Sequence, residues 1–84
     1  MSRYACSISK NNGLVDDNCT VGYDEPMETY FFQTGAEDEN GRPIIWLGTR
    51  HREFSTLDDL VTKLSGLGYS FDMDKSDVEK LLSA

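Results

Sequence analysis

The sequence has little positive charge and concentrates it in a few places. Eight lysines and arginines stand against 15 aspartates and glutamates, which gives a formal net charge of −7. No lysine or arginine occurs between Lys10 and Arg42. Because lysine and arginine contacts to phosphates supply most of the affinity of proteins for nucleic acids, this composition argues against direct nucleic-acid binding.

Long apolar runs are also missing. No segment approaches the ~20 consecutive apolar residues that a membrane-spanning helix needs. The first ten residues, MSRYACSISK, lack the apolar stretch of a signal peptide. We therefore expect a cytoplasmic protein that does not bind membranes. A chain of 84 residues has room for one compact domain, residues 1–84, and not for a second core.

Residues that carry catalysis or bind metals are scarce. One histidine and two cysteines fall short of the usual ligand set of a zinc site. The acidic run from Asp72 to Asp77 begins like a calcium loop, but it lacks the glycine at the sixth place and the glutamate at the twelfth. The scattered glycines form no phosphate-binding loop. We therefore predict a non-enzymatic protein with no catalytic residue, no metal site and no cofactor.

The two cysteines, Cys6 and Cys19, can face each other in an N-terminal hairpin. In a reducing compartment, isolated cysteines are more often small buried hydrophobic residues than disulfide partners. We expect free, buried thiols, and a disulfide is the alternative.

Acidic residues crowd the segment that lacks lysine and arginine. They form either a solvated surface that keeps a small domain soluble or a surface that steers the protein toward a basic partner. Aromatic residues within and shortly after this segment suggest anchors, because tryptophan carries much of the binding energy at protein interfaces. A place in the core is the alternative for the single tryptophan. The predicted partner-binding residues are Asp16, Asp17, Asp24, Glu25, Glu37, Asp38, Glu39, Phe31 and Trp46.

The first half of the chain has the pattern of strands. Residues 4–9 alternate with period two, and a short strand over residues 19–23 is their predicted hairpin partner. The hairpin turns at Lys10-Asn11-Asn12-Gly13, and residues 14–17 lie in its connecting loop. Residues 27–34 and 43–49 are rich in aromatic and β-branched side chains and predict two further strands.

Two registers are open to this second pair of strands. A tight turn at Asn40-Gly41 is the strongest short hairpin signal, but it leaves the aromatic residues opposite small or polar ones. A hairpin that closes at Thr34 and Pro43 pairs the aromatic residues with large apolar ones, and each such pair contributes ~0.2–1 kcal/mol. We predict this second register, with residues 35–42 as a projecting acidic loop. Its pairs are Phe32 with Ile45, Phe31 with Trp46, and Tyr30 with Leu47.

This register gives the sheet two apolar faces. Side chains alternate across a strand, so Phe31 and Trp46 share one face while Phe32 and Ile45 share the other. A helix covers only one of them. We expect the N-terminal segment or a second protein chain to cover the face of Phe31 and Trp46.

The last third of the chain predicts two helices. Leucine and valine recur at helical spacing from residue 57 to residue 64, after an N-cap at Ser55 or Thr56. This predicts a helix over about residues 56–66, which Gly66 or Gly68 ends. Residues 69–73 form a short strand or a crossover, and a short C-terminal helix follows over about residues 75–83. The predicted fold is α+β, a small antiparallel sheet of three or four strands packed by these helices.

These features predict a small acidic protein-binding module. It inhibits or modulates a larger partner by occupying a basic surface, and the partner handles nucleic acid in the setting of a phage or mobile element. There its carboxylates stand in for phosphates. The alternative is a structural or accessory subunit, or a homodimer in which two surplus apolar faces cover each other.

Overall fold

A computed structural model describes residues 2–11 and 13–83, so that Met1, Asn12 and Ala84 lie outside it. In this part of the chain, five strands form one antiparallel sheet in the order β4-β3-β2-β1-β5, accompanied by two helices. The α+β class is confirmed, and the sheet has five strands where three or four were predicted. The elements are β1 Ser2–Lys10, β2 Gly13–Asp24, β3 Thr29–Gln33, β4 Trp46–Leu47, α1 Leu57–Gly66, β5 Ser70–Asp72 and α2 Lys75–Leu82.

The long hairpin of β1 and β2 forms the middle of the sheet. Its pairing runs from Lys10 opposite Gly13 to Ser2 opposite Tyr23. The predicted loop over residues 14–17 is wrong, because β2 is extended through it. β2 has two residues more than β1 in this stretch, and two irregularities beside Ile8 absorb them. The predicted turn includes Asn12, which is not among the described residues.

The pairing of β3 with β4 differs from the prediction by two residues. Phe32 pairs with Leu47 and Gln33 with Trp46, so the predicted partners of Phe31, Phe32 and Tyr30 are wrong. Because side chains alternate with period two, a shift of two residues leaves every side chain on its predicted face. Phe32 and Leu47 therefore still share one face, and Trp46 shares the other face with Phe31.

A threonine explains the shift. Thr34 is buried, and its backbone N–H donates to the carbonyl of Ile45 at 3.1 Å. The Thr34 hydroxyl accepts the N–H of Ile45 at 3.2 Å and donates to the carbonyl of Ala36 at 3.0 Å. Ile45 is thus held beside Thr34, and the register follows from these polar contacts.

The acidic loop over residues 35–42 is more compact than the predicted projecting loop. Glu37 pairs with Pro43 as an isolated bridge. The Asp38 N–H donates to the carbonyl of Arg42 at 2.8 Å, and the Asp38 carboxylate accepts the N–H of Arg42 at 3.1 Å. Gly41 has a φ of 77°, a left-handed value that glycine adopts without strain. The bend predicted at Asn40-Gly41 is therefore present within the loop.

The core lies between the helices and one face of the sheet. Burying a large apolar side chain contributes roughly 1.5–3 kcal/mol, so this layer supplies most of the hydrophobic stabilisation. The buried core residues are Cys6, Ile8, Cys19, Val21, Phe32, Phe54, Leu57, Leu60, Leu64 and Leu81.

At each end of α1, the helix is capped or terminated by one of the two residues predicted for that role. Thr56 is the N-cap, and its hydroxyl accepts the N–H of Asp59 at 3.0 Å. At the other end Gly68 has a φ of 94°, and the N–H groups of Gly68 and Tyr69 each donate back to an α1 carbonyl at 2.9 Å. This is the Schellman arrangement, which ends the helix. Neither α1 nor α2, the helices of the described chain, has the length and apolar character needed to cross a membrane.

Candidate functional site

The sheet face opposite the helices, termed the open face, is the candidate site. No other helix or strand of the described chain packs on it. The prediction that the N-terminal segment covers this face is wrong, because β1 and β2 lie within the sheet. Most side chains of the open face are small or polar, so only the part around Phe31 and Trp46 is apolar. The open face carries Arg3, Ala5, Thr20, Gly22, Phe31, Gln33 and Trp46.

A groove of about 370 Å³ lies on the open face. It contains both aromatic residues that the sequence predicted for partner binding. Phe31 is only 5% exposed, whereas Trp46 is 52% exposed. The other lining residues are Arg3, Asp24, Met27, Gln33, Gly48 and Thr49.

Gly22 lets the Phe31 ring lie close against β2, and Gly48 lets the chain after β4 lie close to the backbone of Phe31. A Cβ atom on Gly22 would lie 2.7 Å from the ring carbons of Phe31 and 1.8 Å from the carbonyl oxygen of Ser2. A Cβ atom on Gly48 would lie 2.6 Å from the Phe31 Cα. Above the ring, the guanidinium carbon of Arg3 is 5.4 Å from its centre, which is a cation–π contact. Phe31 is therefore shielded by its own chain, and Trp46 is not.

The connector between β4 and α1 closes one end of the groove. Phe54 is fixed to the start of β3, since its N–H donates to the Thr29 hydroxyl at 2.8 Å. The Arg52 N–H donates to the carbonyl of Met27 at 2.9 Å. The Arg52 side chain pairs with Glu28 and holds the pKa of that carboxyl below its ordinary value. These contacts bring Met27 of the β2–β3 turn close to the connector.

The single histidine, His51, lies in this connector and is exposed. Its Nε2 atom is 3.9 Å from a carboxylate oxygen of Glu28. No three or more histidine, cysteine, aspartate or glutamate side chains within residues 2–11 and 13–83 are arranged to hold a metal ion.

The predicted acidic residues fall in two places. One Asp16 carboxylate oxygen accepts the N–H of Ala36 at 2.9 Å, which ties β2 to the acidic loop. At the other end of β2, Asp24 lines the groove and Glu25 lies in the following turn. Asp16 and Asp24 are eight residues apart on β2, and an extended strand covers roughly 26 Å over that length, so the two places are distinct. We term the first of them the acidic end, which consists of Asp16, Asp17, Glu37, Asp38 and Glu39.

Within the acidic end, two carboxylates are engaged by the backbone. Asp16 accepts the N–H groups of Ala36 and Asn18, and these bonds lower its pKa. Asp38 accepts the N–H groups of two residues of its own loop. The remaining three, Asp17, Glu37 and Glu39, are exposed. Charge at the acidic end is therefore partly structural and partly available to a partner.

The two cysteines lie directly opposite each other on β1 and β2, as the sequence suggested. Both are buried, and both thiols are free. Burial raises the pKa of Cys6 from 9.0 to about 12, and the neighbouring Cys19 and Asp16 add to the effect. Burial likewise raises the pKa of Cys19 to about 11. The expectation that both cysteines are buried is confirmed.

We expect the two thiols to resist alkylation in the folded protein. The thiolate is the reactive form, and the raised pKa values of Cys6 and Cys19 keep it scarce at pH 8. Mass spectrometry after iodoacetamide treatment should show unmodified native protein and a doubly modified protein in denaturant. Rapid double labelling of the native protein would contradict the buried pairing.

The same thiols determine how the free energy of unfolding changes at high pH. Above pH 9 the unfolded chain releases thiol protons that the folded chain keeps, so the free energy of unfolding should fall as the pH rises. Below that pH the stabilisation by the neutral thiols is fully present. Replacing both cysteines with alanine should remove this part of the fall, which urea unfolding at pH 8 and pH 10 measures.

Sequence reasoning missed most of the polar lining of the groove. It identified Phe31, Trp46 and Asp24, but not Arg3, Gln33 or Thr49. These residues come from β1, β3 and the connector, and no spacing along the chain links them. Only the cross-strand pairing brings them together.

Comparison with known proteins adds no relative. No protein-family model matches the sequence, and neither a curated protein nor a solved structure was found to be similar to it. The chemistry of the groove and of the acidic end is therefore the guide to function.

Proposed function

We propose that this protein is a small acidic module that binds a larger protein and inhibits or modulates it by occupying a basic surface. The observation that carries the proposal is the position of Trp46. Its side chain is half exposed at a groove on the open face, where the chain itself needs no tryptophan for its core. Tryptophan is the residue type most enriched among the side chains that dominate interface binding energy.

The apolar part of the proposed interface is larger than one side chain. Ile44 is 62% exposed and lies two residues from Trp46. Single exposed apolar residues are common on protein surfaces, but neighbouring large ones beside a groove are typical of interaction sites. Both side chains are already partly buried, so burying the rest of each in an interface would favour binding by less than the roughly 1.5–3 kcal/mol of a fully exposed side chain.

The charge of the chain defines the chemistry of the partner. The acidic end lies next to the segment that carries Ile44, because the Ile44 N–H donates to the carbonyl of Ala36 at 3.1 Å and Asp16 holds the same Ala36. With a net charge of −7, the protein attracts positive surfaces and repels negative ones. A basic surface that normally contacts nucleic-acid phosphates fits this arrangement, since exposed carboxylates offer it an alternative anion.

The test is affinity capture from the native host with the full chain as bait, at low and high salt. We expect one stoichiometric partner, weaker capture at high salt, and loss of capture by Trp46→Ala. The partner should carry a basic surface, and added DNA or RNA should compete with the bait for it. Glu37→Gln/Glu39→Gln should weaken capture without disturbing the loop contacts of Asp38.

The matched control is Asp58→Asn/Glu79→Gln, which removes the same charge from exposed positions on the two helices, α1 and α2. It should capture the partner as the unchanged protein does. Equal losses in both double variants, or capture that salt leaves unchanged, would contradict the proposal. A dimer in sedimentation experiments that Trp46→Ala dissociates would favour the homodimer instead.

A further inference from the structure

We propose that the groove on the open face recognises an arginine side chain of the basic partner. This inference rests on the proposed function and specifies which group of the partner the groove receives. It depends on three features of the groove: its resident guanidinium, its carboxylate and its exposed indole.

The resident guanidinium shows what the aromatic base of the groove accepts. Arg3 crosses from β1 and places its guanidinium carbon 5.4 Å from the centre of the Phe31 ring. Gly22 leaves the space in which this ring lies against β2. A planar cation stacked on an aromatic face is favourable, and arginine forms such contacts more often than lysine. The groove therefore already holds one member of the class of group that we propose as its ligand.

The carboxylate of the groove is free to take a second cation. Asp24 is half-buried, and its carboxylate has one weak contact, to the Met27 N–H at 3.5 Å. Within residues 2–11 and 13–83, the only ion pairs join Glu28 to Arg52 and His51. Asp24 is therefore not neutralised by Arg3, although both line the groove. A guanidinium can donate two parallel hydrogen bonds to a carboxylate, which an ammonium group cannot.

The exposed indole supplies the stacking surface. Trp46 pairs with Gln33 at the same groove, and about half of its surface is exposed. Tryptophan has the most favourable face for a cation among the aromatic residues. The net charge of −7 favours a cation over an anion at the surface of this chain, although Arg3 itself places one positive charge in the groove. A guanidinium is suited to each of these features, the indole, the carboxylate and the field.

Because Trp46 is the only tryptophan, its fluorescence reports on the groove directly. The probes are N-acetyl-arginine amide, the corresponding lysine amide and the corresponding citrulline amide, which is the neutral isostere of arginine. We expect a saturable change in Trp46 fluorescence with the arginine probe, weaker binding of lysine, and about tenfold weaker binding of citrulline. Equal binding of arginine and citrulline would overturn the proposal.

Two pairs of variants separate the groove from general charge effects. Asp24→Asn should bind the arginine probe about fivefold more weakly, since it loses a charge-assisted contact, while Glu79→Gln on α2 should bind as the unchanged protein does. Arg3→Ala should bind more tightly, because it uncovers Phe31 and removes a like charge. Lys10→Ala removes the same charge from the other end of β1, where Lys10 lies over the Tyr69 ring, and should change nothing. Circular dichroism verifies that each variant is folded.

The outcomes distinguish this inference from the proposed function. Equal losses of arginine binding in Asp24→Asn and Glu79→Gln, or no tighter arginine binding by Arg3→Ala, would refute the arginine site. Neither result would contradict the capture of a basic partner. A saturable, Asp24-dependent arginine response without any captured basic protein would keep the site and overturn the proposed function. Partner capture that Asp24→Asn abolishes and Glu79→Gln preserves would support both.

Discussion

Replacing Gly22 with alanine should reduce the free energy of unfolding by about 3 kcal/mol. The added Cβ atom would lie 1.8 Å from the carbonyl oxygen of Ser2 and 2.7 Å from the ring of Phe31. The Ser2 oxygen belongs to the backbone of β1, so it cannot move aside without disturbing the β1–β2 pairing. A domain of 84 residues has a total stability of roughly 4–13 kcal/mol, so this loss is a large fraction of it. Urea unfolding followed by circular dichroism measures the change.

Gly66→Ala is the matched control for this variant. A Cβ atom at Gly66, the last residue of α1, would meet nothing within 4 Å. The alanine should leave stability unchanged or raise it by roughly 0.4–1 kcal/mol, because it restricts the unfolded chain. If both glycine variants had the same stability, the close approach of Phe31 to β2 would be refuted.

Two aromatic replacements on opposite faces of the sheet should have very different effects on stability. Phe32→Ala should cost about 3–5 kcal/mol and leave little folded protein, because the ring is fully buried and packs edge to face against Phe71 at 6.3 Å between centroids. Trp46→Ala should cost about 1 kcal/mol or less, since it removes one cross-strand pair at an exposed position. Urea unfolding followed by circular dichroism compares them, because the second variant has no tryptophan to report.

The contrast between these variants separates folding from binding. A loss of stability in Trp46→Ala as large as that in Phe32→Ala would show that the indole belongs to the core. In that case its loss of partner capture would have no bearing on an interface. With the expected contrast, a folded Trp46→Ala protein that captures no partner identifies the open face as the binding surface.

The sequence predicts the helices better than the strands for a physical reason. The apolar spacing of α1 and the capping groups at its ends act within a few residues, and the observed helices begin and end within one residue of the predicted bounds. The β3–β4 register depends instead on Thr34, whose hydroxyl bonds to Ile45 across the loop. Strand propensities and cross-strand pair preferences take no account of that hydrogen bond, so they favoured a register that differs from the observed one by two residues.

The predicted loop over residues 14–17 of the N-terminal hairpin was wrong for another reason. Leu14 and Val15 are exposed in β2, so no burial pattern distinguishes this stretch from a loop. What holds it extended is its pairing with β1, in which two irregularities absorb the extra residues. Such compensation is visible only when the two strands are placed side by side.

By itself the sequence determined the α+β class, the bounds of both helices, the clustering of acidic residues and the face on which each aromatic side chain lies, because these depend on composition, on short-range contacts and on the period-two alternation of strands. The tertiary structure decided which aromatic residue remains available. Gly22, Gly48 and Arg3 converge from separate elements to enclose Phe31, whereas Trp46 on the edge strand β4 has no such neighbours on its exposed side among the described residues. Burial depends on the sum of contacts from distant parts of the chain, and only the assembled sheet brings those parts together.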